Sequence, residues 1–73
     1  MNHRQKNQRI SFLEVENWNL LHDVGTPVLL TKDSGKTIIT KTRSHAEIAS
    51  SGHAVIWLDG VSGFYLLNRV KAR

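Results

Sequence analysis

The stretch that decides the fold is TPVLLTKDSGKTIITKTR, residues 26–43, in which two aliphatic and β-branched runs flank a short polar turn. Valine, isoleucine and threonine favour the pleated surface of a strand. Between the runs, Asp33 can accept hydrogen bonds from backbone amides and Gly35 can adopt a positive φ angle. Pro27 lacks an amide hydrogen, which places it at the start or the edge of a strand. The stretch therefore predicts an antiparallel hairpin.

Two further strands are predicted downstream, in the runs HAVIWL (residues 53–58) and FYLL (residues 64–67), which are separated by the turn DGVSG. Between the hairpin and these strands lies SHAEIASSG, residues 44–52. Ser44 followed by Glu47 fits a capping box, so this segment predicts one or two helical turns, with a plain loop as the alternative. The last residues, NRVKAR, predict a 3₁₀ turn and a short final strand.

The segment that precedes the hairpin divides into two parts. Residues 1–10, MNHRQKNQRI, are polar and basic and predict a disordered basic arm. Residues 11–24 contain apolar side chains without strand alternation and predict a short helical or irregular lead-in. Whether this lead-in is helix or strand stays open, and a helix this short must pack on the rest of the chain.

The regular spacing of short strands and turns indicates an all-β fold. Short strands at intervals of about 8–12 residues predict a small sandwich or barrel. A chain of 73 residues is too short for two full sheets, and barrel closure removes unpaired strand edges. We therefore expect residues 11–73 to form a single small SH3-like β-barrel of about five short strands.

Composition limits the classes of protein to be considered. The chain has no cysteine, so it has neither disulfides nor thiolate metal sites, and a reducing cytoplasm is the expected compartment. No apolar run approaches the roughly 20 residues of a membrane span, and residues 1–10 lack the apolar core of a signal peptide. No membrane partner is expected.

The charge balance favours an acidic partner, because the net charge is +4 and the pI about 10.0. Strand alternation places Lys41 and Arg43 on one face, and the chain end could lie beside them in a barrel. The alternative is a solvated face whose lysines only prevent edge-to-edge pairing. The candidate nucleic-acid-binding residues are Arg4, Lys6, Arg9, Lys41, Arg43, Arg69 and Lys71.

Two residues are candidates for contact with a protein partner, Trp18 and His45. Trp18 lies between Asn17 and Asn19 and could anchor a partner, as tryptophans often do. The favoured alternative is that Trp18 joins the lead-in to the barrel, because a thin core needs its area. His45 is expected at the surface.

Catalytic and metal-binding patterns are weak. The histidines lack the spacings of metal ligands, and no phosphate-binding glycine loop is present. Ser44 and His45 are adjacent, which does not create a nucleophile–base hydrogen bond, and nothing places Glu47 beside Asp59. The sequence predicts no catalytic residue, no metal and no cofactor.

Residues 24–70 resemble a group of small phage and prophage proteins to which no activity is assigned. The resemblance rests on GTPV (residues 25–28), the T-x-T-R-S segment (residues 40–44) and GVSGFYLLNRV (residues 60–70). It implies an SH3-like barrel. A similarity of fold alone links the chain to the plasmid-encoded type II dihydrofolate reductases, which read their ligands with a V-Q-I-Y strand. The comparable strand here, VIWL, lacks the glutamine, so no reductase activity is implied.

Three functions remain as hypotheses. The first is a small non-enzymatic binding module of phage type that acts through protein–protein contact, which predicts an exposed apolar or aromatic patch. The second is a nucleic-acid-binding barrel, which predicts steep salt dependence. The third is an enzyme formed at the shared pore of a symmetric tetramer. An exposed strand edge could also form a homodimer.

Overall fold

The protein consists of one long helix and six short strands. The structure is a computed structural model, which describes the backbone of residues 3–73 and the side chains of residues 9–73. The strands form two antiparallel sheets, and a single turn of 3₁₀ helix (Leu67–Arg69) precedes the last strand. The elements are α1 (His3–Leu21), β1 (Pro27–Thr31), β2 (Thr37–Lys41), β3 (Glu47–Ile48), β4 (Ala54–Trp57), β5 (Phe64–Leu66) and β6 (Val70–Ala72).

The first sheet has the strand order β2-β1-β6 and contains the predicted hairpin. β1 and β2 pair antiparallel from Pro27↔Lys41 to Thr31↔Thr37, so the prediction for residues 26–43 is confirmed. The Lys32 amide donates to the Lys36 carbonyl at 2.7 Å and closes the turn. β6 pairs with the other edge of β1, which makes β1 the central strand and brings the chain end against the hairpin.

The second sheet has the order β3-β4-β5 and is joined to the first through β2. An isolated bridge pairs Thr42 with Leu58, and the Arg43 amide donates to the Trp57 carbonyl at 3.0 Å. The line of β2 therefore continues alongside β4. No pairing joins β5 to β6, so the strands of the described residues do not form a closed barrel.

The helical turn expected in residues 44–52 is wrong. Glu47–Ile48 forms β3, which pairs with β4 through Glu47↔Val55 and Ile48↔Ala54. Ser44 caps no helix, because its hydroxyl accepts the Trp57 amide at 3.2 Å and donates to the His45 carbonyl. The serine thus supplies a partner for an amide of β4, and pairing with β4 outweighs the local helical preference.

Helix α1 begins at His3 and spans the lead-in, whose type the sequence leaves open. Residues 3–10 are helical here, which differs from the expected disordered arm, and Met1 and Asn2 lie outside the described residues. The physical reason is continuity: residues 3–21 contain neither proline nor glycine, so a helix fixed at its C-terminal half can extend towards the N-terminus.

The core lies between the inward faces of the two sheets and is covered by α1. β1 contributes Val28 and Leu30, and β4 contributes Ile56, all of them fully buried. Val15 and Trp18 of α1 pack against this cluster. A helix of this kind is held mainly by the apolar face that it buries.

Two polar side chains fix α1 to the sheets. The side-chain amide of Asn19 donates to the Ala46 carbonyl at 3.0 Å and accepts the Ala46 amide at 2.8 Å. The buried Thr42 hydroxyl accepts the amides of Gly25 and Thr26 at 3.0 and 3.2 Å, just after the helix ends. These bonds set where the helix lies and how the chain enters β1.

Candidate binding faces of the two sheets

The outward side of the first sheet carries a group of cations around apolar residues. Strand pairing sets Ile39, Leu29 and Lys71 directly opposite one another across the three strands. One step along the sheet, Lys41 lies opposite Pro27, and the Arg73 amide donates to the Pro27 carbonyl at 3.1 Å. We call Lys41, Lys71 and Arg73, with Leu29 and Ile39 between them, the basic face.

The spacing of the basic face follows from sheet geometry. Lys41 and Lys71 are two strands and two residues apart, which separates their Cα atoms by about 12 Å. Both side chains are exposed. Arg69, another predicted member, is paired with Asp33 at 3.8 Å, an exposed ion pair that partly neutralises its charge. The strand register thus places Lys41 and Lys71 on one outward face and adds Arg73.

Arg43 follows Lys41 on the outward side of β2, but its guanidinium group is engaged with the backbone. Nε donates to the Leu58 carbonyl at 3.0 Å and Nη2 to the Val61 carbonyl at 3.3 Å. These bonds hold the turn between β4 and β5. Arg43 therefore has a structural role, and its remaining N–H donors are available at an exposed position.

The outward side of the second sheet carries an apolar group that we call the aromatic patch: Trp57, Phe64 and Leu66. Trp57 and Phe64 are paired across β4 and β5, with their ring centroids 5.8 Å apart and their planes at 82°. This edge-to-face arrangement is a favourable one for aromatic rings. Phe64 is 50% exposed and Leu66 38% exposed.

The remaining predicted residues are spread over other elements. Trp18 is half-buried and packs against the core, which agrees with the expectation that it joins the lead-in to the strands. Its ring centroid lies 4.4 Å from that of His22, with the ring planes tilted by 54°. His45 is exposed. Arg9 is exposed on α1, whose main contacts with the strands are to β3 and β4. The side chains of Arg4 and Lys6 lie outside the described ones.

The adjacent Ser44 and His45 side chains do not form a nucleophile–base hydrogen bond. The hydrogen bonds of the Ser44 hydroxyl join it to backbone groups of His45 and Trp57, not to an imidazole. A cleft of about 60 Å³ between α1 and β4 is lined by Ser11, Glu14 and His53, among others. His53 Nδ1 lies 3.0 Å from the Ser51 hydroxyl, so the imidazole is directed at a neighbour in its own turn.

Metal-binding clusters and membrane-spanning helices are two further features that concern the described part of the chain. Over those residues, no three histidine, aspartate or glutamate side chains come together as a metal site. Within the same range, no helix combines the length and the apolar character that crossing a membrane requires.

Fold and faces define a small strand-rich protein with exposed apolar and basic surfaces. The chain matches no protein-family model, and comparisons with curated proteins and with solved structures give no significant match. The resemblance of residues 24–70 to phage and prophage proteins therefore stays a prediction.

Sequence reasoning missed the aromatic patch and Asn19. In the runs HAVIWL and FYLL, the residues on both faces of the strand are apolar, so neither run indicates that Phe64 and Leu66 point outward. The sequence does contain a signal for Arg73, because a residue two positions after Lys71 lies on the same face of a strand. The partner of Asn19 is 27 residues away, a separation that no local pattern contains.

Proposed function

We propose that this chain is a small non-enzymatic binding module that acts through protein–protein contact. The observation that carries the proposal is its exposed apolar content. Among the described side chains, ten large hydrophobic residues are exposed, against nine buried hydrophobic residues that make up the core. Two of the ten, Phe64 and Leu66, adjoin Trp57 on the second sheet, and contiguous exposed apolar surface usually marks an interaction site in a soluble protein.

The aromatic patch is the surface that we assign to this contact. Tryptophan and arginine are enriched among residues that dominate binding energies, and Trp57 lies beside Arg43 in the strand pairing. Trp57 is held by Phe64 and by the β4 backbone, so its ring loses little freedom on binding. A rigid aromatic group with an arginine at its margin suits the apolar side chains of a protein partner.

The architecture that we propose for this module is an SH3-like barrel that is left open. In support, the chain that follows β2 pairs with the chain that follows β4 through Thr42↔Leu58, and a 3₁₀ turn precedes the last strand. The resemblance to phage and prophage proteins points in the same direction, with a cytoplasmic partner in keeping with a chain that has no cysteine.

The test is site-directed photo-crosslinking in cells that express the full chain. A photoreactive phenylalanine analogue replaces Phe64 in one variant and the exposed Thr37, on the other sheet, in the matched control. We expect a protein adduct at position 64 that is absent at position 37 and is lost when Leu66→Ser is added. Identical adduct patterns at the two positions would rule out the aromatic patch as the contact.

Nucleic-acid binding is a second candidate, favoured by one observation. Strand pairing brings Lys41, Lys71 and Arg73 to one outward face. The three strands of this sheet, β1, β2 and β6, contain no aspartate or glutamate. Such a face suits a phosphate backbone, and the binding would weaken steeply with salt. The aromatic patch would then serve as a stacking platform for unpaired bases.

A further inference from the structure

Helix α1 has a second apolar face that nothing in the described chain covers. Its inner face carries Val15 and Trp18, which pack on the core. On the opposite side, Ile10, Leu13 and Leu20 are 46%, 56% and 84% exposed. At 3.6 residues per turn, Leu13 and Leu20 lie about 140–200° around the helix from Val15 and Trp18. A partner could therefore dock on this side without meeting the sheets.

The spacing of this second face is that of a two-helix seam. Ile10, Leu13, Asn17 and Leu20 follow one another at intervals of three, four and three residues, which are the a, d, a and d positions of a heptad. A β-branched residue at a and leucine at d favour a parallel coiled coil of two helices, and a single asparagine at a fixes the register of the two helices. We propose that this face binds a second copy of the chain as a parallel two-helix pair.

Charge complementarity supports a second copy as the occupant. Arg9 takes the g position and Glu14 the following e position, and in a parallel pair these two lie opposite each other across the seam. Because the two copies are related by a two-fold axis, the Arg9–Glu14 contact occurs twice in the dimer. Both side chains are exposed in the single chain and free to make it.

The antiparallel arrangement is less favourable. If Ile10 faced Leu20 of the second copy, Asn17 would face Leu13 and its amide would be buried without a partner, which is costly. Glu16 would then also approach Glu16 of the second copy. The parallel pair instead sets Asn17 against Asn17, where the two amides can hydrogen-bond.

The length of the seam sets the strength of the dimer. Two heptads are fewer than the three or four that usually sustain a coiled coil, so the contact relies on a helix that the sheets already order. We expect so short a seam to bury less than the roughly 800 Å² per partner of a standard interface. We therefore expect a weak, reversible dimer, whose a and d residues are different from the residues of the aromatic patch assigned above.

Sedimentation of the full chain at about 10–500 μM tests the association. We expect the mass to rise towards that of a dimer with concentration, and Leu20→Glu to weaken dimerisation at least tenfold. Phe12→Glu is the matched control, because Phe12 is also exposed on α1, at 51%, but lies outside the a and d positions. A mass of one chain throughout, or equal effects of the two substitutions, would overturn the proposal.

The orientation is tested with engineered thiols, which the absence of native cysteine makes specific. Asn17→Cys alone should form a disulfide-linked dimer in a glutathione redox buffer, since the parallel pair sets position 17 beside its own copy. An equal mixture of Leu13→Cys and Asn17→Cys should yield mainly the two like-paired species. Preferential linkage of position 13 to position 17 would instead establish an antiparallel pair and refute the parallel one.

Discussion

At the scale of single residues, the side-chain hydrogen bonds that join distant segments differ in whether the bonded backbone group has a second partner. The Thr42 hydroxyl accepts the amides of Gly25 and Thr26, yet each amide also reaches a backbone carbonyl, of Thr42 and of Asp23 respectively. Asn19 instead supplies a partner for both backbone groups of the buried Ala46. Loss of a sole partner costs more than loss of a shared one.

We predict that Thr42→Val lowers the free energy of unfolding by about 1 kcal/mol, because both amides keep a second acceptor. Urea titration followed by tryptophan fluorescence measures the change. Thr37→Val is the control, since Thr37 is exposed and its replacement should change stability by under ~0.5 kcal/mol. Equal effects at the two positions would contradict the role given to the buried hydroxyl.

For Asn19→Ala we predict a larger loss, about 2 kcal/mol or more, since the amide and carbonyl of Ala46 both lose their partner in a buried position. The same titration measures it, with the exposed Glu16→Ala on the same helix as control. A loss smaller than that of Thr42→Val would show that water or a rearranged loop replaces the Asn19 amide.

At the scale of elements, the described contacts of α1 with the core lie in its second half. The half-buried and buried positions of the helix among the described side chains begin at Ser11 and include Val15, Trp18 and Asn19. The earlier turns add length without a described contact to the core. A short helix without tertiary contacts is marginal in water.

Deletion of residues 1–8 should therefore leave the sheets intact. We expect the melting temperature to fall by less than about 4 °C, equivalent to under ~1 kcal/mol for a chain of this size. Amide resonances of residues 25–73 should keep their positions, while circular dichroism loses helical signal. Broad shifts in β1 or β4 would show that the first turns also pack on the sheets.

At the scale of the whole molecule, the two sheets present surfaces of different chemistry, one basic and one aromatic. The chain end contributes to the basic face only because β6 pairs with β1. The hairpin supplies Lys41 to the same face from the other edge. Titration with a single-stranded DNA oligonucleotide reveals whether this face binds phosphate or merely keeps the protein in solution.

If the basic face binds DNA, Lys41→Ala and Lys71→Ala should each reduce the slope of log Kd against log salt by about 1, measured by fluorescence anisotropy between about 50 and 200 mM salt. Arg69→Ala should change the slope less, because Asp33 already neutralises part of its charge. Absence of binding at the lower salt would exclude the nucleic-acid hypothesis and leave protein contact as the function.

The sequence by itself determines the hairpin, its turn and the shared face of Lys41 and Arg43, because these depend on neighbours within a strand or across a short loop. Tertiary structure decides the rest. Residues 44–52 carry a helix-capping pattern, but β4 offers them strand partners, and α1 is helical where its apolar residues can cover the core. Which apolar side chains remain outside, Leu20 and Phe64 among them, depends on how the sheets and helix pack, and local pattern does not encode that choice.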